Sequence, residues 1–134
     1  MDIVYDVLKT WYLGNQEDKR NKKQILTGFR GLLFQIVTEI DIARVDDSIL
    51  MKDLKNIIPV RTSEFAKLIG TYEFDMPLEV TIELHYIHKK MIDASNGIKM
   101  LTNSTYQEVE DAMQEIYTTC NDLSKVIVKV VTET

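Results

Sequence analysis

Two stretches of this chain carry apolar residues at the same seven offsets, and no other feature narrows its fold as much. Val80, Leu84, Ile87, Met91, Ala94, Ile98 and Leu101 stand at offsets 0, 4, 7, 11, 14, 18 and 21, and Val109, Met113, Ile116, Cys120, Leu123, Ile127 and Val130 repeat that spacing. Steps of four and three keep all seven positions on one side of an α-helix. Apolar residues make up 45% of the chain, so fourteen matches in register are not an accident of composition. Between the stripes, Thr102-Asn103 breaks the run and Ser104 with Gln107 spells a capping box. The pattern predicts an antiparallel helical hairpin over 76–101 and 104–131. The closing run Val126-Ile127-Val128-Lys129-Val130-Val131 is rich in β-branched residues, which favour strands. A lone terminal strand would have nothing to pair with, so this run is expected to stay helical.

The first half carries the same signal less regularly. Leu26, Phe29, Leu33, Ile36, Ile40 and Ala43 form a stripe, widened by Leu32 and Val37, that predicts a helix over 21–45 in contact with two neighbours. Gly28 and Gly31 lie inside it, where each costs on the order of 1 kcal/mol against alanine. Their presence suggests close approach of another helix. Asp46-Asp47-Ser48 reads as an N-cap cluster for an element over 47–74. That element buries Leu50, Leu54, Ile57 and Ile58, breaks at Ile58-Pro59, is capped again by Thr62 or Ser63, and continues through Phe65, Leu68, Ile69 and Tyr72. Met76-Pro77 opens the next helix, with proline in its first turn.

Residues 1–13 place Ile3, Val7, Leu8 and Trp11 on an amphipathic helical face, with Val4, Tyr5 and Tyr12 alongside and Asp2 and Asp6 in the first turn. Gly14-Asn15 should cap this helix in a left-handed conformation, and 14–20 reads as a polar linker. Five glycines and two prolines in 134 residues leave too little turn material for a many-stranded sheet. The expected fold is therefore all-α: an antiparallel four-helix bundle over 21–131 with a short additional N-terminal amphipathic helix, in a single domain.

Function is less constrained. His85 and His88 are the only histidines. The residues three before them are Ile82 and His85, so the Glu-x-x-His pair of a dinuclear carboxylate site is missing. Cys120 falls on the apolar stripe of its helix and reads as a small buried hydrophobe rather than a nucleophile. No phosphate-cradling glycine loop precedes a helix. No metal, cofactor or catalytic residue is therefore assigned. A metal-dependent enzyme using His85 and His88 is the weakest of the readings.

The net charge is −5, and residues 102–134 contribute −4 of it, which disfavours phosphate binding over much of the surface. The exception is Lys19, Arg20, Lys22 and Lys23, which with Arg30 or Arg44 form the basis of a nucleic-acid-binding alternative. The leading expectation is a non-enzymatic interaction or assembly module, bacterial or viral in style. It would self-associate or bind a protein partner through the surplus N-terminal helix, at Ile3, Val7, Leu8, Trp11 and Tyr12. Capping its own bundle is the competing role for that helix. One cysteine, no basic leader ahead of an apolar run and no apolar stretch near 20 residues predict a soluble, cytoplasmic protein without a membrane span.

Overall fold

The computed structural model describes residues 2–14, 19–46, 48–102 and 105–133. Six helices dominate them: α1 (Asp2–Gly14), α2 (Lys19–Ala43), α3 (Met51–Leu54), α4 (Ile57–Tyr72), α5 (Leu78–Lys99) and α6 (Tyr106–Thr132). The fold is all-α, apart from a miniature antiparallel hairpin of β1 (Arg44–Val45) and β2 (Ser48–Ile49).

The matched stripes behave as their spacing demands. Six of the seven positions on α5, Val80 to Ile98, are buried, as are all seven on α6. Leu101 is the exception: α5 ends at Lys99, so Leu101 lies beyond the helix and is exposed. The β-branched run of α6 remains helical to Thr132, with Ile127 and Val130 on the buried side. The stripe of α2 is buried throughout, Leu32 and Val37 included. Phe29 of α2 meets Phe65 and Tyr72 of α4 edge to face, with ring centroids 6.2 and 6.4 Å apart, a favoured aromatic geometry. Packing runs from α2 to α4 and α6, and from α5 to the same two helices. α1 lies on α6, α5 and α2, and the buried side chains form one contiguous cluster that includes Val4, Leu8 and Tyr12 of α1.

Several junctions depart from expectation. Asp46 and Ser48 do not cap a helix: Asp46 lies in a turn after β1 and Ser48 opens β2, with Arg44 paired to Ile49 and Val45 to Ser48. Asp46 takes φ 54°, a left-handed conformation that aspartate tolerates better than most residues. Asp47 is outside the described residues. The second element does break, but at Lys55-Asn56 rather than at Ile58-Pro59. Proline lacks the N–H that would bond the carbonyl four residues back, and its ring crowds that same carbonyl. For Pro59 that carbonyl belongs to Lys55, so the interruption moves a turn upstream and Pro59 sits harmlessly in the first turn of α4. Thr62 and Ser63 are then interior residues, and the Thr62 hydroxyl donates to the Ile58 carbonyl.

Residues 19 and 20 are helical, so the basic segment opens α2 instead of ending a linker. Gly14 is the last residue of α1, and no glycine among the described residues has a positive φ. Asn15, Glu17, Asp18, Asn103 and Ser104, on which parts of the cap and linker readings rest, lie outside the described residues. The Gln107 amide donates to Asp111 at 2.9 Å. Pro77 stands just ahead of α5 as its N-cap. Close approach is absent at Gly28 and Gly31, where an added Cβ would meet nothing within 4 Å. It occurs instead at Gly97, where that Cβ would lie 2.7 Å from Val109 Cγ2.

Candidate functional site

The two histidines turn to different partners. His85 Nε2 lies 2.8 Å from Glu73 Oε2, in the 3₁₀ turn Glu73–Asp75 that leads towards α5. The His88 ring stacks on Phe65, with centroids 6.4 Å apart and planes 11° from parallel. Burial, with a smaller repulsion from His85, holds the His88 imidazolium below the usual histidine range. Among the described residues no three of His, Cys, Asp and Glu come together as metal ligands. Cys120 is fully enclosed, and burial pushes its thiol up to about 12. It has neither the access nor the thiolate that nucleophilic chemistry requires.

The N-terminal residues singled out from sequence divide. Leu8 and Tyr12 are buried in the chain's own core, Val7 and Trp11 are half-buried, and Ile3 is exposed. The buried side of α1 runs Val4, Leu8, Tyr12, rotated from the Ile3-Val7-Trp11 line read from spacing. Both lines satisfy helical periodicity, and only the neighbouring helices decide between them. α1 also holds part of the basic segment. Lys22 donates to the Trp11 carbonyl at 2.7 Å and sits over the Trp11 ring, while Lys19 lies over the ring of Tyr12. These two cations are therefore engaged within the chain. Arg44 is engaged as well, donating to Gln114 at 2.6 Å and lying over Tyr117.

Arg20 and Lys23 remain exposed on the outer side of α2. The structure adds cations that sequence order separates from them. Arg30 and Phe34 of α2 form one wall of a groove whose other wall carries Asn121, Ser124, Lys125 and Lys129 of α6. The groove continues past Thr27 towards Arg20 and Lys23. Phe34 is 63% exposed. Nothing local in the sequence joins residues near 30 to residues near 125; the contact of α2 with α6 does so.

A second surface lies on the outer side of α5. Leu78, Ile82 and Tyr86 stand one turn apart, opposite the buried stripe. Leu78 is 69% and Ile82 58% exposed, and Phe74, just upstream, is more exposed still. Tyr86 is tied at its edge to α6: its hydroxyl donates to Glu115, which also pairs with Lys90 at 3.4 Å. That hydrogen bond, before any other cause, holds the Glu115 carboxyl below its ordinary range. Spacing could have revealed this stripe, since i, i+4, i+8 is a helical line in its own right, but the stronger inner stripe masks it.

Among the described residues no helix is long and apolar enough to cross a membrane. No protein-family model, curated protein or solved structure matches the chain.

Proposed function

We propose that this protein is a non-enzymatic helical assembly module that pairs with a second copy of itself through the outer side of α5. In this reading α2, α4, α5 and α6 make an antiparallel four-helix bundle, and α1 is a cover laid over one flank rather than the docking element. A cytoplasmic location fits the single cysteine.

The observation that carries the reading is the second apolar stripe of α5. A helix at the surface of a bundle normally turns one apolar stripe inward and a polar face outward. The inward stripe of α5 already fills its share of the core, so Leu78 and Ile82, with the outer face of Tyr86, are left over from the chain's own packing. Exposed apolar side chains clustered in this way mark interaction surfaces more often than isolated ones do.

Charge along the same helix favours an antiparallel copy as the occupant. Glu79 and Glu83 precede the middle of α5 and Lys89 follows it. A two-fold register that sets Ile82 against Tyr86 of the second copy also sets Glu79 against its Lys89. Such a contact is self-complementary, as a closed dimer requires. Size-exclusion chromatography with light scattering tests it at about 100 µM protein. Wild type should elute with twice the 15.5 kDa mass of the chain, and Ile82→Glu should be monomeric with unchanged helical circular dichroism. A monomeric wild type overturns the proposal.

A further inference from the structure

We propose that the groove between α2 and α6 binds single-stranded nucleic acid, with Arg20, Lys23, Arg30 and Lys125 on the phosphates and Phe34 stacking on a base. This goes beyond the α5 reading and does not depend on it.

The groove gathers cations that the fold leaves without partners among the described residues, Lys129 excepted, whose ammonium lies over the Tyr5 ring at 4.3 Å. The first turn of α2 has no acidic residue, so Arg20 and Lys23 lie at the end of the helix dipole that disfavours positive charge. Lys125 and Lys129 are a like-charge pair at i and i+4, a mildly destabilising arrangement on an isolated helix. Arg30 is brought up to that pair by the packing of α2 on α6. Arg20, Lys23, Arg30 and Lys125 have no ion-pair partner among the described residues. Among the described residues no carboxylate lines the groove; Asp122, next to Asn121 in sequence, lies outside the lining. All of this stands on a chain of net charge −5. Like charges collected against the sign of the molecule are relieved by a polyanion.

The shape and the aromatic select the kind of polyanion. From Arg20 to Phe34 the rise along α2 is about 21 Å, the reach of a short oligonucleotide. An exposed aromatic among cations is the platform on which unpaired bases stack, and it accepts any base because each has a π-face. A duplex offers no free base to Phe34. A flat lipid surface would meet the rim of the groove but not its two walls.

Fluorescence anisotropy of a labelled fifteen-nucleotide oligo(dT), with oligo(U) of equal length beside it, tests the assignment on the whole chain. Binding should weaken roughly 50-fold between 50 and 200 mM NaCl, as release of counterions from about four phosphates of a single strand requires. Phe34→Ala should weaken it roughly tenfold with the salt dependence unchanged. The double variant Arg30→Glu/Lys125→Glu should abolish it. Lys52→Glu/Lys55→Glu, equal in net charge but on exposed residues of α3 and the turn after it, should stay within about threefold of wild type. The proposal is overturned by any of three results. These are no binding of either oligonucleotide at 50 mM NaCl, tighter binding of a duplex of the same length, or capture of phosphatidylserine vesicles without capture of the oligonucleotides.

Discussion

Glycine shows how one residue type takes opposite meanings from its surroundings. Gly28 and Gly31 lie inside a helix, yet the space beside each is open. Alanine there gains helix propensity and meets no neighbour, so Gly28→Ala and Gly31→Ala should each stabilise the fold by about 0.5–1 kcal/mol. At Gly97 the added methyl would run into Val109 Cγ2 at 2.7 Å. Val109 is buried and β-branched, so its side chain has little freedom to turn aside. Gly97→Ala should therefore destabilise by about 1–3 kcal/mol as overpacking outweighs propensity. Urea denaturation midpoints at constant m-value separate the two signs. Equal stabilisation at all three positions would mean that α5 and α6 do not meet closely at Gly97.

The elements were legible in proportion to how completely one face of each decides its fate. α5 and α6 were readable nearly to the residue, because each buries a single unbroken stripe and the connection between them is short. The middle of the chain was less so, since its structure depends on backbone events that side-chain periodicity does not record. Pro59 acts through the Lys55 carbonyl one turn away, and the Asp46 turn gains its partner strand only by folding back. What joins α2 to α4 beyond their apolar contacts was equally hidden. Arg61 of α4 lies 2.7 Å from Glu39 of α2 and 2.7 Å from Glu64, and Glu39 Oε2 is buried without a hydrogen-bond partner among the described residues. Removing the cation alone leaves a shielded carboxylate uncompensated. Arg61→Met should cost about 2–3 kcal/mol, whereas Glu39→Met/Arg61→Met should recover most of that loss. A double-mutant cycle by chemical denaturation measures the coupling; purely additive effects would show that the pair does not join the helices.

At the scale of the molecule, both proposed surfaces depend on side chains brought together or left over by packing, and that is why neither could be read from a motif. The basic groove exists because α2 and α6 meet, and the α5 stripe is available because the core is already full without it. The integrity of that core can be followed through Cys120. Its thiol is enclosed on α6, the helix that packs against α1, α2 and α5 alike, and burial pushes it from the ordinary 9.0 to about 12. Between these values an unfolded chain releases the thiol proton while the folded chain retains it. The unfolded state then binds fewer protons, so stability must fall as pH rises through 9 towards 12, by up to about 1.4 kcal/mol per pH unit from this group. Other side chains titrate in the same range, so the comparison is with Cys120→Ala, whose stability should decline less steeply with pH above 9. Below pH 9 a disulfide-exchange reagent should label Cys120 only as fast as the chain opens, and the rate should track stability across the Gly31→Ala and Gly97→Ala variants. Rapid labelling of the native protein at pH 8, insensitive to those substitutions, would mean that α6 exposes Cys120 without global unfolding and that the core does not open as one unit.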